Sequence, residues 1–286
     1  MSTRVRPFAQ VDVFSAQPYR GNPVAVILDG DGLSDDEMRR IAQWTNLSET
    51  TFVLPATTPG ADYRLRIFTP GGELPFAGHP TLGSAHAWLQ HSGHQVVGGR
   101  IVQECAAGLV TLQVSTSQQG ERALSFEAPP TVRTGPLSDS RLARTIAALG
   151  IPASAVVAHE WVDNGPGWTA IRLNTAAEVL ELTPTFNRDT DLMVGVIGAY
   201  PAGSDSDFEV RAFAPAAGVY EDPVTGSLNA SIAQWLVRSG AVTSGYTASQ
   251  GTAMGRSGRI DVALDKSGSV WIGGATTTCI LGTITA

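Results

Sequence analysis

The stretch HPTLGS, residues 79–84, returns 143 positions later as DPVTGS, residues 222–227, in a chain of 286 residues. The flanks repeat as well: Phe-x-Pro precedes each copy, and Trp-Leu-x-x-Ser-Gly follows each copy, at residues 88–93 and 235–240. The offset of this second flank is 147, four more than that of the motif, which predicts an extra helical turn in the second copy. A repeat at half the chain length predicts two similar domains that arose by duplication.

The one strong chemical difference between the copies is His79 in the first and Asp222 in the second. Two domains that present different titratable groups from equivalent positions predict acid–base chemistry in a cleft between them. Each copy also opens a predicted helix, whose first N–H groups and positive dipole end would attract a carboxylate or another anion. The hydroxyl groups of Ser84 and Ser227 could add donors to such an anion site.

The composition is that of an ordinary globular protein, with 43% apolar and 16% charged residues. A net charge of −7 argues against a nucleic-acid partner, and no apolar run approaches the ~20 residues of a membrane span. The first residues lack a signal-peptide pattern and the chain has only two cysteines, so we expect a cytoplasmic protein. The single lysine, Lys266, lies in a predicted exposed turn, which speaks against Schiff-base chemistry with pyridoxal phosphate.

Helix signals occur at four places in the chain. Hydrophobic periodicity predicts a central helix after each copy of the motif, over residues 81–91 and 226–237. Ser34 and Glu37 have the spacing of a capping box and open a predicted helix of about three turns. A further helix is predicted over residues 139–149, where a glycine stops it.

Most other apolar segments are short or alternate with polar residues, which predicts strands and an α+β fold class. The polar stretch 115–122 predicts the domain boundary. The two predicted domains are therefore residues 1–118 and 119–276, each long enough to bury its own core.

Three side chains are candidates for acid–base chemistry. His79 could act as a general acid or base, and its alternative is a loop histidine with satisfied hydrogen bonds. Asp222 could hold or orient a substrate, and its alternative is a helix N-cap, a position that aspartate favours. Glu49 lies in a mostly uncharged segment between the capped helix and a strand, where burial would suit it to proton transfer. An exposed loop glutamate is the alternative for Glu49.

Metal and nucleotide sites are not indicated by the sequence. His86, His91 and His94 have spacings of five and three, which do not place three ligands on one helix face. No nucleotide fingerprint in a Rossmann or Walker-A context is present. We therefore expect neither a metal nor a cofactor.

The chain resembles the PhzF family, the phenazine-biosynthesis isomerase-like proteins, over nearly its whole length. The resemblance rests on segments that occur in the order and spacing of the family. These segments are VDVF at 11–14 with GNP at 21–23, NLSET at 46–50, AGHPT at 77–81, EDPVTGS at 221–227, and SQG at 249–251 followed by GR at 255–256.

The resemblance implies a diaminopimelate-epimerase-like fold, in which two pseudo-symmetric domains each wrap a barrel-like sheet around a central helix. It leaves open whether the last strand, residues 277–286, completes the first domain. It also implies homodimers and cofactor-free isomerisation of a small carboxylate-bearing molecule in the interdomain cleft. The reference member acts on trans-2,3-dihydro-3-hydroxyanthranilate.

The family's site residues can be carried over to matching positions of this chain. Glu49 would move a proton between two carbons of the substrate, while His79 and Asp222 would hold and polarise it. The residues that would bind the substrate and its carboxylate are Ser48, Gly78, Gly226 and Ser227.

Two alternatives stay open at the level of sequence. The first is a cofactor-independent epimerase or racemase of an amino-acid-like substrate. Related racemases use one thiol from each domain, and neither motif here contains cysteine, which speaks against that mechanism. The second is a small-molecule-binding or interaction protein that keeps the fold without catalysis.

Overall fold

The structure, a computed structural model, describes residues 4–116, 122–187 and 190–286. Contacts within the chain divide it into two units. Unit 1 contains the chain up to Glu127 together with Gly273–Ala286, and unit 2 contains Ala128–Ile272. The predicted boundary between residues 118 and 119 lies outside the described residues.

The described residues form helices α1 (Asp35–Thr45), α2 (Gly78–Ser92), α3 (Asp139–Leu149), α4 (Ala176–Leu180) and α5 (Gly226–Arg238). The strands are β1 (Val5–Val13), β2 (Asn22–Ile27), β3 (Glu49–Leu54), β4 (Tyr63–Thr69), β5 (Gly72–Leu74), β6 (Arg100–Cys105), β7 (Gly108–Thr116), β8 (Arg122–Glu127), β9 (Ala158–Trp161), β10 (Thr169–Thr175), β11 (Val194–Ala199), β12 (Phe208–Ala214), β13 (Val219–Asp222), β14 (Tyr246–Gln250), β15 (Gly258–Leu264), β16 (Val270–Gly274) and β17 (Thr276–Thr285). None of the described helices combines the length and the apolar character needed to cross a bilayer.

In unit 1, a run of strands curls around helix α2. Neighbouring strands pair in the order β17–β1–β2–β3–β4–β6–β7–β8, and the short β5 forms a hairpin with β4. The β2–β3 and β4–β6 pairs are parallel, and the others are antiparallel. Helix α2 contacts strands at both ends of this order, β17 and β8. Ten of its fifteen residues are buried, as expected for a helix enclosed by its sheet.

Unit 2 repeats this pairing pattern with its own strands. The order is β9–β10–β11–β12–β14–β15, with β10–β11 and β12–β14 parallel and the short β13 paired to β12. Helix α4 lies between β10 and β11 in the chain, as α1 lies between β2 and β3, and α5 follows β13 as α2 follows β5. The duplication read from the motifs is therefore also a duplication of strand topology.

Two helices begin and end where their local signals predict. At the start of α1, the Ser34 hydroxyl accepts a hydrogen bond from the Glu37 N–H at 3.3 Å, and the Glu37 carboxylate accepts one from the Ser34 N–H at 2.8 Å. Helix α3 spans Asp139–Leu149 and ends at Gly150, whose φ of 71° is the left-handed conformation that glycine adopts at no steric cost. These caps fix both helices from neighbouring residues alone.

The prediction of an extra helical turn in the second copy is wrong. Helix α5 has 13 residues against 15 in α2. The first four residues of the second motif copy, 222–225, lie before α5, whereas the whole first copy lies within α2. His79 is thus the second residue of α2, whereas Asp222 is the last residue of β13. Thr225 stays extended, with φ −111° and ψ 100°, because its N–H donates to the Gln250 side chain at 3.1 Å. The two titratable groups therefore do not occupy equivalent positions.

Candidate active site

Glu49 and His79 lie side by side in unit 1. Glu49 is the first residue of β3, which pairs in parallel with β2, and it is not in the loop that the sequence suggested. His79 Nε2 is 3.3 Å from Glu49 Oε2, and the two side chains are only 5% and 14% exposed. The exposed-glutamate alternative is therefore wrong, and a carboxylate and an imidazole meet in a largely dry environment.

The backbone beneath His79 is held close to the sheet. Gly83, one turn further along α2, packs so tightly that a Cβ atom there would lie 2.4 Å from Val24 Cγ1 and 2.9 Å from Val13 Cγ2. Pro80 is tolerated because the first turn of a helix needs no N–H donor at that position. The close approach of α2 to β1 and β2 sets the distance between His79 and Glu49.

The surroundings of His79 keep its ring neutral. Burial lowers the pKa of His79 to about 3, and a hydrogen bond to the Pro23 carbonyl opposes this shift only in part. Asn22 Nδ2 lies 3.4 Å from Nδ1 of His79, and Asn22 is fully buried. The contact with Glu49 is therefore a polar contact and not an ion pair. A neutral imidazole offers one N–H donor and one acceptor nitrogen.

Two predicted substrate-binding residues flank this pair. Ser48 precedes Glu49 and is half-buried, and Gly78 is the first residue of α2 and is buried. The N-cap residue of α2 is Ala77, whose side chain makes no capping hydrogen bond. The first N–H groups of α2 are therefore not capped by their own N-cap side chain, which suits them to an anion.

Ser84 has a different environment from the one the motif suggested. Its hydroxyl is 2.7 Å from the Thr51 hydroxyl, and both side chains are fully buried between α2 and β3. The seventh residue of a helix lies nearly two turns from its first N–H group. Ser84 therefore fixes α2 to the sheet and is not a donor at the helix start.

Asp222, Gly226 and Ser227 lie together in unit 2. The Thr225 hydroxyl donates a hydrogen bond to Asp222 Oδ2. The N-cap of α5 is Thr225, so the alternative in which Asp222 caps this helix is wrong. Gly226 and Ser227 are the first two residues of α5, and Trp168 Nε1 donates to the Ser227 hydroxyl at 3.1 Å.

The strand that carries Asp222 is anchored by an arginine. The Arg211 guanidinium binds both carboxylate oxygens of Glu221 at 2.8 Å, and its Nη1 donates to the Leu182 carbonyl at 2.7 Å. Arg211 is 5% exposed. Glu221 is thereby engaged in a buried bidentate pair.

Sequence reasoning missed several polar residues that shape these two groups. The side-chain amides of Asn22 and Gln250 are fully buried. The side chains of Trp168 and Arg211 are almost fully buried. Asn22 and Gln250 both lie within the quoted family segments, which was the one available signal. Their partners are distant in the chain, so the sequence could not assign their contacts.

His86 of α2 and His94, which follows α2 in the chain, make contacts of their own. The two ring nitrogens of His86 lie 2.8 and 2.9 Å from the hydroxyls of Thr276 and Thr278. His94 packs against Trp88. Within residues 4–116, 122–187 and 190–286, no group of three His, Cys, Asp or Glu side chains is placed to hold a metal ion.

Comparison with known proteins gives matches over nearly the whole chain. Residues 11–282 match the PhzC-PhzF family model, described as phenazine biosynthesis-like protein. The chain is 42% identical over 289 residues to antisense-enhancing sequence 1 of Schizosaccharomyces pombe, covering 96% of this chain and 97% of that protein. It is 36% identical over 264 residues to trans-2,3-dihydro-3-hydroxyanthranilate isomerase of Pseudomonas aeruginosa, covering 91% of each.

Solved structures share the fold. A phenazine biosynthesis protein of the PhzF family from Bacillus anthracis superposes with a TM-score of 0.81 at 23% identity, over 98% of this chain and 99% of that one. A hydroxyproline epimerase from Agrobacterium vitis has a TM-score of 0.60 at 12% identity, over 99% of this chain and 93% of that one. The predicted diaminopimelate-epimerase-like fold is confirmed.

Proposed function

This chain belongs to the PhzC-PhzF family of phenazine biosynthesis-like proteins and is an isomerase, and we propose that it moves a proton between two carbons of a small carboxylate-bearing metabolite without a cofactor. The observation that carries this proposal is the buried contact between Glu49 and His79. A base in a dry site beside a neutral hydrogen-bonding ring suits proton transfer to and from carbon.

The proposed cycle needs only one proton carrier. The Glu49 carboxylate takes a proton from one carbon, and the electrons of that C–H bond form a new double bond as the neighbouring double bond shifts. The Glu49 carboxylic acid exchanges its proton with water and then gives a proton to a second carbon, which restores the carboxylate. The product is an isomer of the substrate, so no oxidant or reductant is consumed.

His79 and the binding residues would orient the substrate for this transfer. The neutral imidazole of His79 would hydrogen-bond the substrate and polarise it without competing as a base, because the pKa of His79 is about 3. We propose that Ser48 and the first N–H groups of α2, at Gly78, bind the substrate carboxylate. We also propose Asp222, Gly226 and Ser227 of unit 2 as substrate-binding residues.

The printed names of the relatives support the choice of substrate for the first assay. The relative at 36% identity carries the name of trans-2,3-dihydro-3-hydroxyanthranilate isomerase, while the relative at 42% carries a different name. We propose trans-2,3-dihydro-3-hydroxyanthranilate as the first compound to assay. A shared fold and shared catalytic groups can serve several substrates.

The test is a turnover assay on wild type and on two glutamate variants. Glu49→Gln keeps the shape of the side chain and removes the base, so kcat should fall by about 10²- to 10⁴-fold. The matched control is Glu127→Gln, which changes an exposed glutamate at the end of β8 and should leave kcat unchanged. A fully active Glu49→Gln enzyme would contradict the proposal.

The two alternatives give different results in the same assay. Loss of optical activity in an amino-acid substrate, with exchange of its α-hydrogen, would favour an epimerase. Saturable binding of several carboxylates without any turnover would favour a binding protein. The relatives named as isomerases support a catalytic protein over the second outcome.

A further inference from the structure

Gln250 makes a hydrogen bond at every position that its side-chain amide offers. It is the last residue of β14 and is fully buried. Its Oε1 accepts from the Thr225 N–H at 3.1 Å and from Asn229 Nδ2 at 2.8 Å. Its Nε2 donates to the Asp222 carbonyl at 3.1 Å and to the Thr225 hydroxyl at 3.0 Å. One amide therefore joins the end of β13 to the start of α5.

The chemistry of these partners fixes the orientation of the Gln250 amide. A backbone N–H can only donate and a backbone carbonyl can only accept, so Oε1 must face Thr225 N and Nε2 must face the Asp222 carbonyl. Asn229 is oriented in the same way, because its Nδ2 also donates to the Thr225 carbonyl at 2.9 Å. No flipped arrangement satisfies these contacts.

The orientation of Gln250 in turn directs the hydroxyl of Thr225. A hydroxyl has one hydrogen, and Thr225 Oγ1 already accepts from Gln250 Nε2. Its hydrogen is therefore available for Asp222 Oδ2, to which it donates. Thr225 is 7% exposed, so water has little access to this chain of donors.

The backbone between these residues is packed from the other side as well. A Cβ atom at Gly258 would lie 2.4 Å from Val224 Cγ2, and one at Gly251 would lie 2.7 Å from the Pro223 carbonyl. The segment from Asp222 to Thr225 therefore has little room to shift. A carboxylate on a rigid segment keeps the direction in which its hydrogen-bond donors hold it.

We propose that Gln250 and Thr225 are positioning residues that fix the orientation of the Asp222 carboxylate. The Gln250 amide donates to the Thr225 hydroxyl, and this hydroxyl donates to the carboxylate. The kinetic consequence rests on the proposed function, in which Asp222 binds the substrate. Gln250 and Thr225 act through Asp222 and need not touch the substrate.

The direct test compares crystal structures of Thr225→Val and Thr225→Ser. Valine keeps the shape of threonine and removes only the hydroxyl, while serine keeps the hydroxyl. The carboxylate of Asp222 should rotate away in Thr225→Val and stay in place in Thr225→Ser. An unmoved carboxylate in Thr225→Val would overturn the inference. Thermal melting of each variant reports whether it is folded. If Thr225→Val is not, Thr225→Ala takes its place in the comparison.

Kinetics extend the test to function. Thr225→Val should lower kcat/KM by about 10- to 100-fold, as expected for a lost hydrogen bond to a charged group, while Thr225→Ser should stay near wild type. In an Asp222→Ala background, Thr225→Val should add less than about twofold, because the two residues act as one unit. A full additional loss in that background would assign Thr225 a structural role and contradict the inference.

The two readouts separate this inference from the proposed function. If Asp222→Ala is fully active while Thr225→Val still releases the carboxylate in the crystal, the positioning stands and the proposed role of Asp222 fails. If Asp222→Ala is inactive and Thr225→Val changes neither structure nor kinetics, the proposed function stands and the positioning fails.

Discussion

At the scale of single residues, the neutral state of His79 decides which group moves the proton. Burial disfavours the imidazolium, and the positive end of α2 disfavours it further, because His79 lies in the first turn of that helix. A ring that stays neutral hydrogen-bonds without changing its charge. Under the proposed mechanism, the proton therefore passes through Glu49, and His79 orients the reacting groups.

The same burial makes folding stability depend on pH. The pKa of His79 is about 3 in the folded protein against 6.5 for an unperturbed histidine, so the unfolded chain binds the proton first. The stability contributed by neutral His79 is therefore lost as pH falls below about 6.5. Between pH 7 and pH 5, wild type should lose about 2 kcal/mol more unfolding free energy than His79→Gln. Urea melts at both pH values measure this, and equal losses would contradict it.

The motifs identified candidate site residues, but they could not predict which side chains are in contact. Glu49, His79 and Asp222 were named as candidates from the quoted segments alone. The contact between Glu49 and His79 depends on the packing of α2 on β2 and β3, which no local signal encodes. The same holds for Gln250, whose partners lie 21 to 28 positions away in the chain.

At the scale of elements, the fit of α2 against the sheet holds the candidate base and the ring together. Gly83 is the contact point, since any side chain there would meet Val24 and Val13. Each unit also ties the start of its central helix to a buried glutamine on the next strand. Gln103 Nε2 donates to the Thr81 hydroxyl at 3.1 Å in unit 1, as Gln250 does to Thr225 in unit 2.

Gly83→Ala should therefore damage both stability and turnover. The added methyl group overpacks the interface between α2 and the β1–β2 pair, at a cost of about 1–3 kcal/mol. The displaced helix would also carry His79 away from Glu49, so kcat should fall. The matched control is Gly282→Ala on β17, where a Cβ atom meets nothing within 4 Å. Urea melts give the free energy of unfolding of both variants, and turnover assays give kcat. Equal values for Gly83→Ala and Gly282→Ala would contradict the tight packing at Gly83.

Elements with local signals were predicted well, and short ones were not. The capping box of α1 and the terminal glycine of α3 act between neighbouring residues, so they can be read from the chain. Strands β5 and β13 have three and four residues, which are too few to show an alternating pattern. Helix α4 has five residues and was missed, although Thr175 and Glu178 form a capping box at its start.

At the scale of the whole molecule, the duplication is the feature that the sequence predicted most securely. The order β1–β2–β3–β4–β6–β7 of unit 1 is repeated as β9–β10–β11–β12–β14–β15 in unit 2, as two copies of one ancestral segment would give. The prediction of an extra helical turn assumed that matching residues of the two motif copies occupy the same positions relative to their helices. They do not, and the prediction was therefore wrong. Proline is compatible both with the first turn of a helix and with the extended segment before one, so the motif did not decide between them.

We propose a homodimer, as the resemblance to the PhzF family implies. Light scattering after size exclusion should give twice the chain mass of 29.9 kDa. Large apolar side chains at the surface, such as Leu281 at 70% exposed, are compatible with association. A mass equal to one chain across a hundredfold range of concentration would contradict the dimer.

The measurement that tests the central claim most directly is proton NMR in D2O with trans-2,3-dihydro-3-hydroxyanthranilate, on wild type beside Glu49→Gln. The account predicts that wild type places deuterium on a ring carbon of the product and that Glu49→Gln places none. Deuterium incorporation at the wild-type rate in Glu49→Gln would contradict the claim that Glu49 carries the proton.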